Sequence, residues 1–148
     1  MVERTLIIIK PDGVHRRLVG EIIARFEKKG LKIAAAKLMK ITPQSAKKLY
    51  AIHKDKDFFD RLVKYITSGP VLVMVLEGEK TIEITRKMMG ATFGYDALPG
   101  TIRGDFGTSQ TCNLIHGSDS AKLAQKEISL FFKPSEILNY KMTDDRWL

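Results

Sequence analysis

Apolar and polar positions along this chain follow two periods, and each change of period marks an element. Thr5-Leu6-Ile7-Ile8-Ile9-Lys10 is a β-branched run, which predicts a buried strand ended by a turn at Pro11-Asp12-Gly13. Val19, Ile22, Ile23 and Phe26 then recur at helical spacing, with Glu21, Arg25 and Lys28 opposite, and Gly30 closes that helix. Leu31 to Ile41 reads as a second strand, although Ala34-Ala35-Ala36 dilutes its strand character. Thr42-Pro43 is an N-cap followed by proline at the first helical position. Helices are expected from Pro43 to His53 and from Phe58 to Thr67, ending at Ser68-Gly69-Pro70. Val71 to Leu76 is apolar throughout, as befits a strand buried on both faces, and Glu79 to Met89 reads as a helix closed by Gly90.

Ala91 to Cys112 shows no period, yet Phe93, Tyr95, Leu98 and Phe106 mark it as ordered. Leu114-Ile115 reads as the end of a fourth strand that His116 terminates and Gly117 breaks. Ser118, Asp119 and Ser120 offer N-caps for a last helix running from Ser120 to Phe132. The tail, Lys133 to Leu148, is expected to wrap the body or a neighbouring subunit. This order is βαββαβ: an α+β, ferredoxin-like sandwich in which helices cover a four-stranded antiparallel sheet. Its 148 residues suit a single domain, 1–148. Such a fold hosts many functions and decides none.

Composition narrows the classes. No apolar stretch approaches membrane-spanning length, and Met1-Val2-Glu3-Arg4 leads directly into a strand, so neither a membrane nor a secretory leader is expected. One cysteine, Cys112, excludes an internal disulfide and fits a reducing compartment. Lysine and arginine number 25 against 17 acidic residues, a net charge of +8 that favours polyanions. These charges are spread over helical segments, more like a solvated face than a nucleic-acid groove.

Candidate chemistry gathers around His116. A strand-to-helix junction attracts anions, and imidazole is a fair nucleophile near neutral pH. The plain alternative is a histidine packed at a strand end. In the last helix Glu127 interrupts the apolar stripe of Leu123, Ala124, Ile128 and Phe131. A carboxylate there needs a partner, and His116 or Ser118 is the natural one; a snorkelling surface glutamate is the alternative. Lys10 places a point charge at a sheet edge, although alone it reads as an ordinary charged strand end; Arg86 and Arg103 offer forks for phosphate oxygens, although each alone also suits a surface salt bridge. Of Phe58-Phe59, one ring facing outward could stack on a base; the alternative is both rings in the core. The phosphate-binding glycine loops of common nucleotide enzymes are absent, and no His/Cys/Asp cluster has metal-ligand spacing.

Asn113-Leu114-Ile115-His116-Gly117-Ser118-Asp119-Ser120 closely resembles the active-site signature of nucleoside diphosphate kinases. So do Ile9-Lys10-Pro11-Asp12-Gly13-Val14, Val63-Lys64-Tyr65 with Ser68-Gly69-Pro70, and Pro99-Gly100-Thr101-Ile102-Arg103-Gly104-Asp105-Phe106, in order along nearly the whole chain. The resemblance implies ping-pong transfer of the terminal phosphate of a nucleoside triphosphate, mainly ATP, to a nucleoside diphosphate through a phosphohistidine at His116. It implies that Lys10, Arg86, Thr92, Arg103 and Asn113 hold phosphates and sugar, and that Phe58 stacks on the base. Tyr50 matches a tyrosine near the active site, and Ser118 and Glu127 match groups that orient the histidine. Mg2+ would arrive on the nucleotide phosphates, with Asp119 reaching it through water. The family's low base selectivity, assembly as hexamers or tetramers of dimers, and cytoplasmic location in microbes are implied likewise. Phe93-Gly94, Cys112 and Gly107 to Thr111 depart from the common pattern in or near a loop that makes subunit contacts. The competing reading is a non-catalytic, basic module on the same fold, either regulatory or binding nucleic acid without sequence preference. Transfer from His116 to a protein side chain is a conceivable side activity with no partner named.

Overall fold

The computed structural model describes residues 1–148. Its strands are β1 (Val2–Ile9), β2 (Lys32–Met39), β3 (Val71–Glu79) and β4 (Ile115–Gly117). Between β1 and β2 lie α1 (Pro11–His15) and α2 (Val19–Lys28); between β2 and β3 lie α3 (Pro43–Leu49) and α4 (Phe59–Ile66). The helices α5 (Thr81–Met89) and α6 (Ile102–Phe106) precede β4, and α7 (Ala121–Phe131) follows it. The strands form one sheet in the order β2-β3-β1-β4, antiparallel at every pairing. The expected βαββαβ arrangement is therefore present.

Helices cover both faces of this sheet. Leu6, Ile8, Val73 and Val75 face α3, α4 and α7, whereas Ile7, Ile9, Met74 and Leu76 face α2, α5 and α6. All eight strand side chains are fully buried. Each contributes about 1.5–3 kcal/mol relative to exposure, so both faces demand apolar residues and the strands read as continuous runs. A bulge between Ile33 and Ala35 lets the alanine-rich β2 remain in register with β3. The tail runs along the outer edge of β2: Leu138 N–H donates to the Ala34 carbonyl at 2.9 Å, and Lys32 Nζ donates to the Tyr140 carbonyl at 2.8 Å. Edge coverage of this kind protects unpaired strand groups. No helix is long and apolar enough to cross a membrane.

Five local expectations are corrected. Pro11-Asp12-Gly13 opens α1 instead of forming a turn, because proline suits the first helical position and Lys10 before it is extended (φ −72°, ψ 168°). Glu79 belongs to β3 rather than to the following helix, since β1 begins at Val2 and pairs with it. The aperiodic stretch contains a single 3₁₀ turn at Gly94–Asp96 and α6, which is capped by Thr101 Oγ1 accepting from Gly104 N–H at 3.0 Å. Five residues are too few to display a period. His116 is central in β4, and Gly117 continues the strand: a Cβ there would lie 2.6 Å from Met89 Sδ. The helix expected to reach His53 ends at Leu49, and Ala51–His53 is a 3₁₀ turn.

Candidate active site

In a strand, neighbouring side chains point to opposite faces. In β4, Ile115 joins the core beneath α2 and α5, and His116, paired with Ile8 of β1, faces the α7 side. Glu127, buried on α7, meets it there: Nε2 of His116 lies 2.8 Å from Glu127 Oε1. Ser118 Oγ donates to the same carboxylate oxygen at 3.0 Å and accepts from Leu6 N–H at 3.1 Å. The carboxylate that breaks the apolar stripe is thus fully partnered, and both expected partners are used. With Nε2 occupied, Nδ1 is the nitrogen free to act, and the side chain is 20% exposed.

Every residue nominated from the sequence except Ser118 lines one cleft of ≈ 610 Å³, a size suited to a small ligand. Ser118 lies beneath it, fully buried. Lys10 Nζ donates to Asn113 Oδ1 at 2.7 Å, and Asn113 Nδ2 donates to the Thr92 carbonyl at 3.0 Å. Arg103 is buried, and its guanidinium donates to three backbone carbonyls: Asn113 (3.1 Å), Gly90 (3.1 Å) and Ile115 (2.6 Å). Three of its five N–H donors are so engaged, leaving two for a ligand. Arg86 pairs with Asp119 at the half-exposed rim.

The cleft is electrostatically unfinished. Burial, and then the nearby Arg103 charge, lowers the Lys10 pKa to about 7. Burial, followed by Arg86, lowers that of Arg103 to about 10. Three cations crowd one concavity whose carboxylates are already committed, so an entering polyanion relieves the strain. The Tyr50 hydroxyl is buried without a partner, and burial together with the Glu127 charge pushes its pKa up, keeping it a donor. An orphaned donor beside surplus cations fits an oxygen-rich ligand. Phe58, just before α4, lines the cleft, whereas Phe59 packs into the core.

Sequence reading missed other cleft residues. His53 packs its ring 5.3 Å from that of Phe58, and Lys48, Arg61 and Lys126 add charge to the walls. Only the lysine-rich faces hinted at the latter, and they read as solvated. No group of three His, Cys, Asp or Glu residues is arranged to hold a metal.

The whole chain is similar to known proteins of one family. Residues 3–137 match the family described as nucleoside diphosphate kinase. The chain is 60% identical over 137 residues to a nucleoside diphosphate kinase of Thermus thermophilus, covering 93% of this chain and all of the relative. It is 55% identical to one from Halalkalibacterium halodurans, over 99% of this chain and 100% of the relative. The solved structure of a halophilic nucleoside diphosphate kinase from Halobacterium salinarum in complex with CDP superposes with a TM-score of 0.97 at 48% identity, covering 99% of this chain and 98% of that one. With the family matched across nearly its whole length, the chain belongs to the nucleoside diphosphate kinases, enzymes that transfer phosphate between nucleotides.

Proposed function

We propose that His116 carries the phosphate between the two nucleotides, and that the observation supporting this most directly is its Nε2–Glu127 hydrogen bond of 2.8 Å. That bond fixes the ring and its tautomer, presenting the Nδ1 lone pair to the cleft. In the first half-reaction Nδ1 attacks the terminal phosphorus of a nucleoside triphosphate, a P–N bond forms, and the P–O bond to the leaving diphosphate breaks. In the second, a terminal oxygen of an incoming nucleoside diphosphate attacks the same phosphorus and the P–N bond breaks, freeing His116. Glu127 stabilises positive charge on the imidazole while the P–N bond exists. Lys10, Arg86 and Arg103 neutralise phosphate charge, Asn113 and Thr92 place sugar and phosphate, and Tyr50 donates to an oxygen beside His116. Phe58 stacks on the base, a contact that every base accepts, so selectivity among ATP and other nucleotides is low.

Mg2+ fits this site as a passenger on the nucleotide. The protein offers no metal cluster, and Glu127 is occupied by His116 and Ser118; Asp119, paired with Arg86 at the exposed rim, is the carboxylate whose second oxygen would approach the ion through water. The ion's contribution when bound is to offset the charge of the phosphates. Residues 1–148 are read as one domain, since both cores share one sheet. Assembly as a hexamer or tetramer of dimers, and a cytoplasmic location suited to the exposed thiol of Cys112, complete the proposal. Family membership does not favour the competing basic, non-catalytic nucleic-acid module.

The test is incubation with γ-labelled ATP and Mg2+. A protein-bound label that is alkali-stable and acid-labile, and that moves to GDP to give GTP, supports the reading. A folded, nucleotide-binding protein that takes up no label overturns it.

A further inference from the structure

Leu114 has φ +72°, a left-handed backbone that a branched residue adopts at a cost, and Ile115 N–H donates back to the Asn113 carbonyl at 2.8 Å. This is a γ-turn with a fully buried side chain at its apex. It separates Asn113, which binds Lys10, from His116 two residues beyond Leu114.

Both peptide groups of Leu114 are gripped by the segment that follows β1. Lys10 N–H donates to the Leu114 carbonyl at 2.8 Å, and Leu114 N–H donates to Asp12 Oδ2 at 3.1 Å. The other Asp12 oxygen accepts the Tyr65 hydroxyl from α4. Gly13 permits the close approach, since a Cβ there would lie 3.2 Å from the Leu114 carbonyl oxygen and 2.7 Å from Ile9 Cγ2. Asp12 therefore does not cap its own helix; its oxygens serve Leu114 and Tyr65. Hydrogen bonds to a carboxylate are roughly twice as strong as neutral ones, which suits a turn held against its preference.

We propose that Asp12 and Tyr65 are positioning residues for phosphate transfer: the Asp12 carboxylate, steered by the Tyr65 hydroxyl, holds the Leu114 turn and so sets Lys10 and Asn113 relative to His116. The inference rests on the reading of those three residues as site groups. A second effect follows from charge. Lys10 is faced by Asn113, the Arg103 guanidinium, the Asp12 carboxylate, the Cys112 thiol and the Tyr65 ring, 5.6 Å from Nζ. Asp12 raises the Lys10 pKa and partly offsets burial and Arg103. Burial, followed by the bond to Asp12, pushes the Tyr65 pKa up, so its hydroxyl stays a donor.

Two variants separate the effects. Tyr65→Phe keeps the Asp12 charge but frees the carboxylate: kcat is expected to fall about tenfold through misplacement of the reacting groups, with KM moving less. Its Leu114 amide should exchange hydrogen faster, and the alkaline limb of the pH profile should stay in place. Asp12→Asn keeps the shape but removes the charge, so Lys10 loses its proton more readily and that limb moves to lower pH. Wild-type kcat and Leu114 exchange in folded Tyr65→Phe overturns the proposal, as does a loss of thermal stability alone. If Asp12→Asn does not fold, Tyr65→Phe decides. Full turnover in Lys10→Met would remove the site reading instead, and Leu114 exchange would then judge the clasp by itself.

Discussion

His116 Nε2 and Glu127 Oε1 stand 2.8 Å apart, joining the centre of an edge strand to the face of the last helix. Glu127 is buried, and Ser118 Oγ bridges it to the Leu6 amide of the adjoining strand. The imidazole is thereby tied to the sheet core through a three-membered polar chain. Such a chain orders the ring before any ligand arrives.

Replacing the histidine separates chemistry from binding. His116→Ala should abolish phosphate transfer while leaving nucleotide affinity largely intact, because the cations and Phe58 remain. Turnover assays with binding calorimetry check this; retained turnover would sink the phosphohistidine route.

Glu127→Gln removes the charge that supports the imidazole but preserves side-chain volume. The rate of His116 phosphorylation should fall about ten- to a hundredfold, as for the loss of a charge-assisted hydrogen bond. Single-turnover quench-flow measures it. Ser118→Ala should act in the same direction with a smaller effect.

Arg103 has a double task, since its guanidinium both lines the cleft and ties Gly90, Asn113 and Ile115 together. Arg103→Ala should cost about 2–4 kcal/mol in transition-state stabilisation and also lower the melting temperature. A rate loss below tenfold accompanied by a large drop in Tm would make it purely structural.

Lys10 should make nucleotide binding pH-dependent. Its pKa is about 7 in the free protein, and an entering polyphosphate raises it. Above pH 7 the free protein has lost this proton and the complex regains it, so nucleotide binding should take up a proton and weaken as pH rises. Calorimetry in buffers of different ionisation enthalpy detects the uptake. Lys10→Met should abolish it.

Much of this site is legible in the linear chain because its signals are local. Glu127 lies four residues from Leu123 and from Phe131, so helical geometry alone places a carboxylate on an apolar face and demands a partner. The Phe58-Phe59 pair likewise resolves into one ring at the cleft and one in the core. The Lys10–Asn113 bond could not be read from local spacing, since 103 residues separate the two and the β1–β4 register decides their meeting. Asp12 reads from the sequence only as a turn residue, because the amide it serves lies 102 residues away, in the turn before β4.

The sequence by itself determined the order of the four strands and of the longer helices between and after them, the apolar runs of β1 and β3, the cap at Thr42, and the inventory of cations around one histidine. These follow from the period of side-chain projection and from backbone preferences that act over a few residues. Only the tertiary structure decided which helices cover each sheet face, that Pro11 starts a helix, that Leu114 turns left-handed, and that Arg103 reaches three carbonyls. Each is a balance of long-range packing and hydrogen bonding against a local preference, and its partners exist only once the sheet has closed.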